Sequence, residues 1–310
     1  MSGRVLVTPR SLSRDPEAEV FEPLRRRGFE LVCPTPGERP NEATLREAIG
    51  EVVGYIAGVE PISRAVLEQG TQLRAISRNG TGVDNIDLEA AEELGITVRR
   101  AAGANARGVA ELTVGLMLDL ARGISSGDAE VKRGNWTRRK GIELPGRTLG
   151  LVGCGQVGQD VARLALAFGM SVLAYDPYPD PHFAPGGAFR YAGLDELLAE
   201  SDIVSLHCPP PPDGSAVIDR RAVSLMRRGA YLINTARAGL VDWAAVEEAV
   251  DTGGLGGFAV DSYADEPPEP DSLIRNPATV ATPHIGGYTE ESVERASRIA
   301  VENLIEELER

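Results

Sequence analysis

The stretch GLVGCGQVGQDVARLALAFGMSVLAYD, residues 150–176, decides how this chain is read. A β-branched run ends in glycine. Gly153, Gly155 and Gly158 follow in G-x-G-x-x-G spacing, then a helical pattern, then a second strand ending at Asp176, 18 residues after Gly158. The glycine spacing alone is weak, because the chain holds 35 glycines. A strand before it and a helix after it make it specific. The first glycine permits a tight turn. The second lets a pyrophosphate approach the backbone, and the third lets helix and strand pack closely. The helix N-terminus then faces phosphate. An acidic residue at the end of the second strand accepts hydrogen bonds from ribose hydroxyls and repels a 2′-phosphate. The expected cofactor is therefore NAD rather than NADP.

Around this stretch the same alternation recurs. Before it, short strands at 4–8, 29–33, 52–57, 73–77 and 96–100 alternate with helical segments, a unit of about five strands. Arg107 to Ala121 reads as a long apolar helix. The polar segment SSGDAEVKRGNWTRRKGIELPG reads as an arm rather than core. From Arg147 on, six strands are expected: TLGLVG, SVLAYD, DIVSLH, AYLINT, GGFAVD and TVATP, with helices between the first five. Six strands at this spacing suggest two mononucleotide-binding halves of a doubly wound parallel sheet. The last segment has apolar residues at Val293, Ala296, Ala300, Leu304 and Leu308, which is helical spacing.

The whole composition fits an α/β chain of two domains. There are 310 residues with a net charge of −14, which argues against nucleic acid or a membrane surface as partner. No apolar run approaches the roughly 18 residues of a membrane span. The N-terminal MSGRVLVTPR lacks the pattern of a signal peptide. Cys33, Cys154 and Cys208 are far apart and form no CxxC, so reduced thiols in a cytoplasmic protein are expected, and no metal site.

Three charged residues fall just beyond strands of the second unit: Arg237 after AYLINTA, Glu266 five residues past Asp261, and His284 in TVATPH. Ligands bind outside the carboxyl ends of such strands. Together they suit reduction of a 2-keto acid. An arginine fork takes the carboxylate, a histidine gives or takes the proton at the carbonyl oxygen, and a carboxylate fixes and stabilises the imidazolium. Taken singly, each is an ordinary loop residue. His207, at the end of DIVSLH, is a rival to His284, but its place nearer the middle of the sheet suits cofactor contact. His182 reads as solvent-facing.

These segments make the chain recognisable. NGTGVDNIDLEAAEELGI, VAELTVGLMLDLAR, GRTLGLVGCGQVGQDVA, INTARAGLVD, VDSYADEPP and PHIGG resemble the D-isomer-specific 2-hydroxyacid dehydrogenases, most closely their phosphoglycerate dehydrogenase branch. The resemblance implies that Arg237, Glu266 and His284 are catalytic. It implies a flavodoxin-like substrate domain over 1–100 plus 285–310, an NAD-binding Rossmann domain over 101–284, and a homodimer paired through helix and arm 107–146. Expected cofactor contacts are Gly153, Gly155, Gln156, Val157, Gly158, Asp176, Thr81, His207, Cys208, Thr235, Ala236, Asp261 and Gly286. Expected substrate contacts are Arg78, the backbone amides of Asn79 and Gly80, and Arg138, which would reach the other subunit's site. Where the phosphoglycerate branch carries an Arg-Ser pair in an early loop, this chain reads YIAGVEPIS, with Gly58 and Glu60 and no arginine. Phosphoglycerate leads as substrate, and glycerate/hydroxypyruvate or another D-2-hydroxy acid is the alternative. No regulatory domain is expected after the terminal helix. A formate-type relative would carry glutamine in place of Glu266. An NAD(H)-binding corepressor is the reading from another class.

Overall fold

The computed structural model describes residues 3–310, so the first two residues of MSGRVLVTPR and of the expected domain 1–100 lie outside it. Two compact units emerge. One runs to Asn105 and resumes at Thr289, and the other spans Ala106–Tyr288. The changeovers fall a few residues from 100 and 285, because they coincide with helix starts at Ala106 and at Glu290, the latter capped by Thr289.

In the first unit β1 (Gly3–Val7), β2 (Phe29–Val32), β3 (Val52–Ala57), β4 (Ala75–Arg78) and β5 (Thr97–Arg100) form one parallel sheet, ordered β2-β1-β3-β4-β5. Val5, Leu6, Val7, Ile56 and Ile76 are fully buried, which is how a parallel strand covered on both faces reads. The C-terminal helix Glu290–Glu309 belongs to this unit, and its Leu304 and Leu308 press on Gly54, where a Cβ would stand 3.0–3.2 Å from their methyls. Arg74 caps it by donating to the carbonyl of Leu308 at 3.0 Å. One long helix does not follow β1. The chain makes short turns at Arg10–Ser13, Glu19–Phe21 and Glu22–Arg26 instead, with Pro16 and Pro23 interrupting the backbone ladder.

The second unit holds seven parallel strands, not six: β6 (Thr148–Val152), β7 (Ser171–Tyr175), β8 (Phe189–Tyr191), β9 (Ile203–Leu206), β10 (Ala230–Asn234), β11 (Leu255–Val260) and β12 (Thr279–Ala281). The order is β12-β11-β10-β9-β6-β7-β8. The additional edge strand β8 has three residues after a glycine pair, too short to leave a periodic signal. Its aromatics Phe189 and Tyr191 stack edge-to-face, and Phe189 does the same with Phe183. The strand order reverses between β6 and β9, so the crevice above those two strands is the ligand position of the fold.

Caps set the helix starts. Asp219, Asp242 and Asp271 accept from the amides of Ala222, Ala245 and Ile274. Helix Ala106–Arg122 packs on helix Gln156–Ala167, and Gly123 (φ 63°) ends it. Part of the expected arm is itself helical, over Ile124–Lys132. Asp119 accepts the Ser125 amide at 2.9 Å, and an Asp128–Lys132 pair one turn apart supports it. None of its residues is buried. Residues 133–143 run on without regular structure until Leu144 re-enters the core.

Candidate active site

The loop after β6 is built by exclusion. Gly153 adopts φ +96°, and a Cβ there would stand 2.6 Å from the Cys208 nitrogen. A Cβ on Gly158 would overlap the carbonyl oxygen of Gly153. Gly155, by contrast, has open space where its Cβ would be. It is the N-cap of helix Gln156–Ala167, and no side chain caps that end. The first amides of the helix, those of Gln156 and Val157 among them, therefore have no side-chain cap, and such an end suits a phosphate. After β7, Asp176 takes the Cys154 amide on Oδ2 and the Tyr178 amide on Oδ1, both at 2.8 Å. Those bonds fix the carboxylate, and each oxygen keeps a lone pair for a ribose hydroxyl. This cradle fits a dinucleotide.

After β9, His207 hydrogen-bonds through Nε2 to the buried Ser205 Oγ at 2.9 Å. Part of its surface reaches solvent, yet burial of the ring lowers its pKa to about 3. The ring is neutral near pH 7 and can donate or accept a hydrogen bond without bringing charge. Burial likewise raises the Cys208 thiol to about 11, so it stays protonated.

After β10, the segment Thr235, Ala236, Arg237 is shaped by Asn234, a residue the sequence reading passed over. Asn234 is fully buried, accepts from the Ala236 amide at 3.1 Å and donates to the Arg237 carbonyl at 2.9 Å. Its signal was present: an Asn at a strand end folds the next two residues back. Thr235 Oγ1 meets the buried Thr113 Oγ1 at 3.0 Å, and Arg237 Nη1 donates to the Ala236 carbonyl at 2.8 Å.

After β11 and β12 the chain closes on itself. His284 Nδ1 lies 2.6 Å from Glu266 Oε1. The Tyr263 amide also donates to that oxygen, at 3.2 Å. Tyr263 Oη in turn donates to the Thr282 carbonyl at 2.9 Å. Burial first, then the charges of Asp261 and Glu266, raise that phenol to about 12 and keep it a donor. His284 has φ +52°, the one non-glycine with positive φ among the described residues. Asp261, buried, holds that conformation by accepting from Thr282 Oγ1 (2.6 Å), the Ile285 amide (2.8 Å) and the Gly286 amide (2.8 Å). Tyr263 and Thr282, like Asn234, escaped sequence reasoning, because their work is visible only through the carbonyls and carboxylates they reach.

The second unit thus brings together His284 and Glu266, and sets Arg237, His207, Asp176 and the glycine loop on the same carboxyl edge. Arg78, Asn79, Gly80 and Thr81 lie in the first unit, at and after the end of β4. There the Asn79 amide donates to the Ala57 carbonyl and the Gly80 amide to the Arg78 carbonyl, both at 2.9 Å. Arg78 Nη1 donates to the Asn79 carbonyl. Arg138 is exposed in the arm. Among the described residues no group of three or more His, Cys, Asp or Glu could hold a metal ion, and no helix is long and apolar enough to cross a membrane.

Residues 114–286 match the family model described as D-isomer specific 2-hydroxyacid dehydrogenase, NAD binding domain. The chain is 42% identical over 246 residues to a D-3-phosphoglycerate dehydrogenase of Methanocaldococcus jannaschii, covering 78% of this chain and 47% of that protein. It is 40% identical over 270 residues to a hydroxypyruvate reductase of Thermotoga maritima, covering 85% and 87%. The crystal structure of the TT0316 protein from Thermus thermophilus superposes with a TM-score of 0.88 at 38% identity, covering 99% and 97% of the two chains. The chain spans about half the length of the curated phosphoglycerate dehydrogenases it matches.

Proposed function

The chain belongs to the D-isomer-specific 2-hydroxyacid dehydrogenase family, and from that premise we propose that it interconverts a D-2-hydroxy acid and its 2-keto acid with NAD. The observation that carries the reading is the 2.6 Å His284–Glu266 pair on the sheet edge that holds the dinucleotide cradle. The cradle would hold NAD, which would supply hydride transfer to and from substrate C2. Gly155 and the uncapped helix end take the pyrophosphate, and Asp176 takes the ribose hydroxyls and disfavours NADP.

Glu266 holds the proton on His284 Nδ1, which leaves Nε2 as the atom that gives or takes the substrate's oxygen-bound proton. When the ring is an imidazolium, the adjacent carboxylate stabilises it. Arg237 supplies a planar fork to the substrate carboxylate. Arg78, Asn79, Gly80 and Arg138 are proposed to contact substrate. Because the amides of Asn79 and Gly80 already donate internally, contact through them requires those bonds to yield. Thr81, Cys208, Thr235, Ala236, Asp261 and Gly286 are proposed to border the cofactor. Three-carbon acids lead, since both a phosphoglycerate dehydrogenase and a hydroxypyruvate reductase are among the relatives.

The protein is proposed to pair as a homodimer through helix and arm 107–146, where Ile124, Val131 and Trp136 are 57%, 58% and 82% exposed. Free Cys33, Cys154 and Cys208 suit the cytoplasm. NADH oxidation against a panel of 2-keto acids tests the activity. The panel comprises glyoxylate, pyruvate, hydroxypyruvate and phosphohydroxypyruvate, and no turnover of any member refutes the reading.

A further inference from the structure

Tyr263 lies between the two halves of the acid/base pair and bonds toward both. Its backbone amide donates to Glu266 Oε1 at 3.2 Å, the oxygen that faces His284 Nδ1. Its hydroxyl donates to the Thr282 carbonyl at 2.9 Å, and the His284 amide donates to that same carbonyl at 3.0 Å. A carbonyl oxygen has two lone pairs, so this one oxygen can hold the tyrosine and the histidine together. The Val260 carbonyl is farther from the hydroxyl, at 3.4 Å, and an O–H has a single proton to give. All of these groups belong to the second unit.

The pair needs such a tie. The side chains of Glu266 and His284 are 40% and 49% exposed, and an ion pair so open to water holds weakly by itself. Asp261 secures the histidine side by taking the Thr282 hydroxyl and the amides of Ile285 and Gly286. None of those three bonds reaches Glu266. Tyr263 does, through its amide, and its ring is partly buried against the apolar cluster that contains Phe258, Val260 and Leu273. The residue is thus anchored in the core while its two polar ends serve the two loops.

A phenylalanine would fill the same space. The hydroxyl is therefore more than packing requires, and a partly buried hydroxyl is costly unless it is bonded. With its pKa raised to about 12, by burial first and then by the charges of Asp261 and Glu266, it remains a donor throughout the range in which a histidine exchanges protons.

Building on the dehydrogenase reading, we propose that Tyr263 is a positioning residue: its hydroxyl, by tying the Thr282 carbonyl to the loop of Glu266, keeps Glu266 Oε1 on His284 Nδ1 and so fixes the tautomer of the ring. An ionised carboxylate only accepts, so a neutral ring in this contact carries its proton on Nδ1 and leaves Nε2 free. A histidine released from such a partner favours the proton on Nε2, which then cannot take one from a substrate hydroxyl. The hydroxyl of Tyr263 acts through His284 and touches neither substrate nor cofactor.

The test reads the tautomer directly, by ring-nitrogen shifts in ¹⁵N NMR of the free protein at a pH where the rings are neutral. The chain has three histidines, so His284→Ala assigns the signals of His284. The wild type is expected to carry the proton on Nδ1. Tyr263→Phe is expected to move the ring toward the Nε2–H form, to lower kcat for the best 2-keto acid by about tenfold and to leave its KM within about twofold. On a His284→Ala background the same change should cost nothing further, because the hydroxyl works through that ring. A wild type with its proton on Nε2 overturns the proposal without any variant. So does a Tyr263→Phe protein, folded by thermal unfolding and NADH titration, that keeps either the wild-type tautomer or the wild-type kcat. A loss of stability with the tautomer unchanged marks the hydroxyl as structural only, and overturns it too. If the tautomer shifts as expected but no keto acid is turned over, the dehydrogenase reading falls while the tie between Tyr263 and the ring stands.

Discussion

His284 Nδ1 and Glu266 Oε1 stand 2.6 Å apart across 18 residues of chain, and the Tyr263 amide and the Asp261 carboxylate fix the two sides of that contact. His284→Ala is expected to lower kcat by about 10²- to 10⁴-fold, the usual contribution of a positioned acid/base. Glu266→Gln keeps a partner on Nδ1 but removes its charge, so kcat should fall by less, with KM little changed. Steady-state kinetics in the reduction direction checks both. Native turnover by His284→Ala would falsify the assignment.

Asp176, proposed to take the ribose hydroxyls, has both oxygens already oriented by backbone amides. Asp176→Ala removes the repulsion of a 2′-phosphate. The ratio of kcat/KM for NADH over NADPH should fall by about tenfold or more, the scale of one lost charge contact. An unchanged ratio removes Asp176 from that role.

Gly158→Ala places a methyl against the Gly153 carbonyl, where backbone rather than a flexible side chain must give way. NADH affinity should drop sharply, and the variant should unfold earlier, by the roughly 1–3 kcal/mol typical of overpacking. Gly155→Ala, whose Cβ enters open space, should leave stability nearly unchanged yet weaken NADH binding, because that space is where the pyrophosphate is proposed to lie. Fluorescence titration and calorimetry separate the two.

His207 gives a pH dependence of stability. Its folded-state pKa is depressed to about 3, below the ordinary histidine value near 6.5. Between those values the unfolded chain binds a proton that the folded ring refuses. The contribution is therefore fully present above about pH 6.5, is lost progressively as pH falls, and is exhausted near pH 3. Urea midpoints measured at pH 7 and pH 5 should show a smaller acid loss in His207→Gln than in the wild type. Equal losses would mean the ring protonates without penalty.

The helix at 124–132 buries none of its own residues, and Trp136 beyond it is 82% exposed. Val131→Glu combined with Trp136→Ala should convert the proposed dimer to a monomer in light scattering. Thermal unfolding should lose its dependence on protein concentration with it. A wild type that is already monomeric removes the pairing reading.

Much of this was legible in the residues. The glycine loop, Asp176 and the strand ends at Arg237 and His284 carry local signals, because tight turns, strand periodicity and helix caps depend on near neighbours. β8 was missed because three residues make no period, and the helix at 124–132 because its glycine and serines hide a pattern held by Asp119 and an i,i+4 ion pair. Asn234, Tyr263 and Thr282 were invisible as site residues because each acts on a carbonyl or carboxylate placed by folding.

The sequence by itself determined the two α/β units, the dinucleotide loop and the acid/base candidates, since each follows from short-range pattern and the rule that such sheets work at their carboxyl edge. Only the tertiary structure decided that His284 and Glu266 close to 2.6 Å and that Asp261 holds the histidine's backbone. Those facts depend on contacts between residues 18 to 25 apart in the chain, such as His284 with Glu266 and Gly286 with Asp261, and no local pattern encodes which distant groups a folded chain brings within hydrogen-bond distance.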